Sequence, residues 1–253
     1  MTQQILNELV AMSNRIGRPE LDLAILGEGN TSARADAGTF YVKASGFELR
    51  TITEQGFVHA VFERVLQLLD CGEIGDQAVK EGLDAAKLDP AKGGHPSVET
   101  LLHAICLNLE GVNFVAHTHP VAINSLTCSV NFEVAFGGRL FPDEIVVCGP
   151  APLLVPYTDP GIPLARKVKQ LLAVYLDQYG ETPKVVLLQN HGLIALGRSP
   201  QHVENVTAMA VKAARILLGT YAAGGPSYLS QKDVVRIHSR PDEEIRRKLL
   251  KLQ

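Results

Sequence analysis

Two short apolar runs, Phe114-Val115-Ala116 and Val185-Val186-Leu187-Leu188, lead into histidines: His117-Thr118-His119 before Pro120, and Asn190-His191-Gly192. Apolar runs of this length, bounded by turn residues, read as buried strands. On a strand, residues i and i+2 point to the same side, so His117 and His119 can offer two imidazoles to one ion without bending the backbone. A third nitrogen has to come from elsewhere, and His191 is the best-placed candidate. Zinc bound by three protein nitrogens keeps a position open for water or substrate, whereas structural zinc is usually closed by four ligands rich in cysteine. The pattern therefore predicts a catalytic metal site.

Glycine punctuation and apolar periodicity predict the rest of the chain. The spacing of Ile5, Leu6, Leu9, Val10 and Met12 predicts a helix over Gln4–Ile16. Ala24–Leu26, Thr31–Ala33 and Thr39–Lys43 read as strands, followed by a helix from about Val58 to Leu69, a polar stretch to Gly94, and a helix opening near Ser97 and running through Leu107. After the His117 strand come a short helix over Val121–Leu126 and strands near Phe132–Ala135 and Glu144–Cys148. The proline-rich segment Pro150–Pro163 reads as a loop. A helix over Leu164–Tyr179, strands at Lys184–Gln189 and Leu193–Leu196, and a helix over Pro200–Tyr221 complete the order. This alternation predicts an α/β protein, a three-layer α/β/α sandwich whose central sheet is mostly antiparallel.

The whole chain, residues 1–253, is expected to form a single domain, with 226–253 as a C-terminal tail. Within the tail, Glu243, Arg246 and Arg247 oppose Ile245, Leu249, Leu250 and Leu252. This is the stripe of a surface helix laid on its own core or of a subunit contact. The net charge of −3, from 24 basic and 27 acidic residues interspersed along the chain, gathers neither nucleic acid nor membrane lipid. No apolar stretch reaches the roughly 20 residues needed to span a bilayer and no signal peptide is evident, so the expected location is cytoplasmic. Cys71, Cys106, Cys128 and Cys148 form no close pair and read as small core residues.

Five fragments occur in one order: Gly27-Glu28-Gly29-Asn30, Lys43-Ala44-Ser45-Gly46, Pro96-Ser97-Val98-Glu99, His117-Thr118-His119-Pro120 and Asn190-His191-Gly192. Together they resemble the class II aldolase/adducin family over roughly residues 4–225. The Lys-Ala-Ser-Gly and Pro-Ser-Val-Glu variants are similar to the rhamnulose-phosphate aldolase branch. The resemblance implies a metal-dependent enzyme acting on a phosphorylated sugar, commonly a homotetramer with sites at subunit boundaries. It implies that His117, His119 and His191 are metal ligands, and that Glu99 is both a ligand of the empty site and the catalytic acid/base. Zinc suits three imidazoles and a carboxylate, and manganese, cobalt or iron can occupy the same set.

The same resemblance implies a phosphate pocket. Gly27 and Gly29 let the backbone approach an anion, Asn30 adds a donor, Ser45 and Gly46 offer a hydroxyl and an amide, and Ser97 and Lys43 add a hydroxyl and a point charge. His103, four residues after Glu99, is expected to support or pack rather than ligate, and His59, His95, His202 and His238 are expected to be structural or at the surface. Two departures bear on the reaction. Val98 stands where fuculose-phosphate aldolases carry a second serine, and Phe132, Phe136 and Phe141 lie where those enzymes place a tyrosine acid. Tyr228 is then a candidate proton donor, with Asp143 and Glu144 as alternatives that read equally as turn acids.

The leading expectation is a lyase that cleaves a ketose 1-phosphate reversibly to dihydroxyacetone phosphate and an aldehyde through a metal-stabilised enediolate. An epimerase, dehydratase or decarboxylase would use the same site. A non-catalytic adducin-like binding module would be expected to have lost the ligands, and a structural metal site would have every position closed.

Overall fold

A computed structural model describes residues 2–72 and 75–249; the side chains of residues 244 and 246–248 lie outside that description. In chain order the elements are α1 (Thr2–Ile16), β1 (Asn30–Arg34), β2 (Thr39–Lys43), β3 (Phe57–Val61), α2 (Phe62–Gln67), α3 (Asp76–Ala85), α4 (Thr100–Leu107), β4 (Phe114–Thr118) and α5 (Val121–Thr127). They continue with α6 (Phe132–Ala135), α7 (Pro142–Cys148), β5 (Leu153–Val155), α8 (Ile162–Tyr179), β6 (Val185–Leu188), β7 (Gly192–Gly197), α9 (Pro200–Ala222), α10 (Gln231–His238) and α11 (Pro241–Leu249). The strands form one seven-stranded sheet in the order β3-β2-β1-β4-β7-β6-β5. Every pairing is antiparallel except β5 with β6.

Side-chain alternation divides the core into two. On β6 and β7, Val186, Leu188, Ile194 and Leu196 face the layer built by α2, α3, α4 and α8. Their neighbours Val185, Leu187, Leu193 and Ala195 face the layer of α1, α5, α6, α7 and α9. The period of two along a strand thus feeds two separate apolar layers, which explains why β6 and β7 carry no polar side chain. The expected α/β/α sandwich with a mostly antiparallel sheet is the observed architecture.

Several elements differ from the sequence expectation. Ala24–Leu26 is loop rather than strand; Ile25 and Leu26 are 62% and 77% exposed, and Leu26 adopts a left-handed φ of 52°. The helix expected over Val58–Leu69 is strand for its first part, because Phe57–Val61 pairs in register with Thr39–Lys43 before α2 begins. The polar stretch before Gly94 contains α3. Phe132–Ala135 and Glu144–Cys148 are helices rather than strands. In α7, Glu144, Ile145, Val146, Val147 and Cys148 are all buried, which erases helical periodicity, while Pro142 and two acids in the first turn are helix-start signals. The proline-rich 150–163 segment contains β5, which its parallel pairing with β6 stabilises.

In the tail, α10 packs on α7 of its own chain, its Val234 is buried, and Ile245 and Leu249 of α11 are exposed. The Arg246 and Arg247 side chains, with Leu250 and Leu252, lie outside the described residues. No helix among the described residues is long and apolar enough to cross a membrane.

Candidate metal centre

The site forms where three elements end together. β4 delivers His117 from its last turn of pleat and His119 just beyond, and the short connection between β6 and β7 delivers His191. Asn190 makes that hairpin possible by adopting a left-handed φ of 54°, which asparagine tolerates better than most residues. Its amide donates to the Thr127 carbonyl (3.0 Å), and the Asn124 amide donates to the His191 carbonyl (3.0 Å), so α5 clamps the hairpin. Gly192 is needed for the close approach: a Cβ there would lie 2.5 Å from the Thr118 carbonyl oxygen and 2.7 Å from His119 Cδ2.

The three rings converge. His117 Nε2 lies 3.0 Å from His119 Nε2 and 3.2 Å from His191 Nε2, and a ligand atom from each ring lies within 4.8 Å of the others. Zinc–nitrogen bonds of about 2.0–2.1 Å in tetrahedral geometry set ligand nitrogens about 3.3 Å apart. The two short separations therefore have the spacing of one coordination shell. His117 Nδ1 lies 3.0 Å from the Leu193 carbonyl oxygen, to which it donates, so in the neutral ring Nε2 carries the lone pair that faces the other rings.

Glu99 completes the cluster. It stands just before α4, and its Oε1 lies 3.2 Å from His117 Nε2 and 3.1 Å from His191 Nε2. Its Oε2 accepts a short hydrogen bond from the Asn30 amide, and the strand register sets Asn30 opposite His117. Burial on its own would raise the Glu99 carboxyl, but His117 and His191 hold it well below the usual carboxylate range. Burial lowers His117, yet Glu99 more than offsets this and the ring is raised. His119 is pushed down to about 4 by burial and by the neighbouring rings. Three converging imidazoles and an ionised carboxylate form a donor set that fits a divalent ion.

The remaining expected site residues differ in their surroundings. Lys43 is buried; its Nζ donates to the Gly27 carbonyl (3.2 Å), and burial lowers its pKa against the opposing pull of Glu99. The antiparallel Ala44–Pro96 bridge sets Lys43 opposite Ser97, whose buried hydroxyl has no partner, and Ser45 opposite His95. Ser45 and Gly46 are exposed, and the Ser45 amide is occupied by the His95 carbonyl. Tyr228 stands elsewhere: its hydroxyl donates to the Ala135 carbonyl (2.8 Å) on α6. Glu144 is spent on a buried ion pair with Arg139 (2.9 Å).

The other histidines are structural in their contacts. His103 is buried against the Ser32 hydroxyl (2.6 Å) and is pushed down to about 3, chiefly by burial. His59 meets Thr39, His95 meets Asp84, and His238 meets Glu181. Asn124 and Glu28, whose Oε2 lies 3.7 Å from His119 Nδ1, join the site without a motif of their own. An acid between two glycines was the only local sign of Glu28, and Asn124 offered none, since its bond spans 67 residues.

An α/β/α sandwich with three histidines and a carboxylate converging at the ends of its central strands defines a class of metal-chelating proteins. Residues 7–218 match the family model described as "Class II Aldolase and Adducin N-terminal domain", and the chain belongs to that family, whose enzymes are metal-dependent. Among solved structures it is similar to the N-terminal class II aldolase domain of a conserved protein from Thermoplasma acidophilum (27% identity, TM-score 0.64, covering 84% of this chain and 93% of that one). It is also similar to YgbL from Escherichia coli, described as a putative aldolase/epimerase/decarboxylase (19%, TM-score 0.70, 94% and 99%). L-fuculose-1-phosphate aldolase from Thermus thermophilus shares the fold as well (16%, TM-score 0.61, 88% and 98%). No curated protein matches the chain.

Proposed function

We propose that this protein is a zinc-dependent lyase that cleaves a ketose 1-phosphate reversibly to dihydroxyacetone phosphate and an aldehyde. The observation that carries the proposal is the convergence of His119 and His191 Nε2 on His117 Nε2 at 3.0 and 3.2 Å, with Glu99 Oε1 against His117 and His191. When bound, a divalent ion supplies Lewis acidity to neighbouring oxygens of the substrate. His117, His119 and His191 would hold it, with Glu99 as a fourth donor.

Glu99 moves the proton. Asn30 holds one carboxylate oxygen, which leaves Oε1 directed at the centre, where it can take a proton from a substrate hydroxyl or return one to the carbon. Its depressed pKa keeps the carboxylate ionised. Lys43, Ser45, Gly46 and Ser97 would receive the phosphate; the unpartnered Ser97 hydroxyl supports this reading. The occupied hydroxyl of Tyr228 gives a specific reason to keep a second reading, because decarboxylation on the same centre forms no aldehyde and needs no group to exchange a proton with an aldehyde oxygen. The working assembly would be a homotetramer in the cytoplasm.

A panel of ketose 1-phosphates and sugar-acid phosphates, assayed with and without chelator for dihydroxyacetone phosphate, tests the proposal. Chelator-sensitive release of dihydroxyacetone phosphate is expected. Chelator-insensitive turnover would overturn the mechanism, and chelator-sensitive turnover without that product would favour the second reading.

A further inference from the structure

The three rings are not held alike. His117 is buried and bonded through Nδ1 to the Leu193 carbonyl, and the hairpin bearing His191 is clamped by Asn124. The His119 side chain is 22% exposed, and its Nε2 is turned toward His117. A neutral imidazole with its Nε2 lone pair directed at an ion carries its proton on Nδ1, and a ligating histidine almost always gives that N–H to an acceptor. The group on that side is the carboxylate of Glu28, with Oε2 3.7 Å from Nδ1.

The loop fixes this carboxylate in place. Glu28 Oε2 accepts the Ile25 amide (3.1 Å), and the Glu28 amide donates to the Ile25 carbonyl (3.0 Å), closing a turn through left-handed Leu26. Gly29, with φ +71°, lies so close to β4 that a Cβ would come within 2.8 Å of the His117 carbonyl oxygen. On the other side of the turn, the His119 amide donates to the Leu23 carbonyl (2.8 Å). The same loop therefore grips residue 119 by its backbone and presents an acid to its ring.

We propose that Glu28 is a positioning residue for His119, accepting its Nδ1–H and so holding Nε2 toward the centre shared with His117 and His191. The proposal rests on the metal-centre reading above. A small rotation of the partly exposed ring turns the 3.7 Å contact into a charge-assisted hydrogen bond, which also makes the imidazole a better donor.

The test is zinc affinity, measured by competition with a chromophoric chelator, for the unaltered protein, Glu28→Ala, Glu28→Gln, His119→Ala and the Glu28→Ala/His119→Ala double variant. Glu28→Ala is expected to weaken binding about 10–100-fold. Glu28→Gln, whose amide oxygen can still accept both bonds, should lose less, and the double variant should bind no more weakly than His119→Ala. Nitrogen-15 NMR of labelled histidine should show the His119 Nδ1–H tautomer in the zinc-loaded protein. Unaltered affinity in Glu28→Ala, or an added loss in the double variant beyond His119→Ala, would overturn the role of Glu28 while leaving the metal centre intact. Should Glu28→Ala not fold, unaltered affinity in Glu28→Gln together with the absence of the Nδ1–H tautomer would overturn it. Failure of the unaltered protein to bind zinc would instead overturn the metal-centre reading on which it stands.

Discussion

The two ends of β7 each meet a buried histidine environment, and the environments differ. At one end, His117 faces two other ring nitrogens and the Glu99 carboxylate, and its pKa is raised in spite of burial. At the other, His202 of α9 is buried beside Lys184 and Arg198; burial first, then those cations, push it down to about 4. Its Nδ1 accepts the Arg198 amide (3.4 Å), so the proton of the neutral ring sits on Nε2, which is buried without a partner. Residue type and burial are shared, so neither makes a metal site. Converging lone pairs and a carboxylate do so, because they stabilise positive charge at one point, whereas nearby cations oppose it.

Removing one ligand breaks the comparison most severely. His119→Ala should lose the bound divalent ion, and with it turnover, whereas His202→Ala should keep its metal content; elemental analysis of dialysed protein decides this, and equal content in the two would sink the assignment. Next in size, Glu99→Gln should lower kcat by about 10²–10⁴-fold, the usual contribution of a positioned acid/base, while His202→Gln stays near the unaltered rate.

A pH series sharpens the far end. The unfolded His202 ring protonates near its ordinary value of 6.5 and the folded one near 4, so below pH 6.5 the unfolded state binds more protons. Stability therefore falls as pH drops from 6.5 to 4, by about 3 kcal/mol in total, and no contribution exists above that window. Urea denaturation of the unaltered protein and His202→Gln should show a steeper acid loss for the former; parallel curves would refute the depressed ring. The smallest expected effect compares two glycines. Gly192→Ala meets backbone at 2.5 Å and should cost about 1–3 kcal/mol, more than Gly197→Ala, whose nearest contacts stand at 3.0 Å. Equal unfolding midpoints for the two would contradict the tight packing at the histidine end.

The parts of the fold legible in the sequence are those whose local pattern and tertiary role agree. The central strands read correctly because residues apolar on both faces are those the two-layer core requires. The helix α7 reads as a strand in the sequence because burial on nearly every side of a short segment hides its period, and α6, with Phe132 and Ala135 buried at i and i+3, is only four residues long and too short to show one. Val58–Leu69 changes from strand to helix in mid-run, and only pairing with β2 marks the change. The four clustered residues are legible from their fragments, but the orienting groups Asn124 and Glu28 are not, since they lie far from their partners in sequence.

The sequence by itself determined the apolar strands that lead to the histidines, the i, i+2 pairing of His117 with His119, and the presence of a third histidine after a second apolar run. Tertiary structure alone decided that β4 and β7 lie side by side, which brings His191 within 3.2 Å of His117 across 74 residues of chain. It also decided that α4 begins with Glu99 against the same point. The reason is geometric: local propensity sets which way a side chain points along its own element, while register and packing between elements set what it meets.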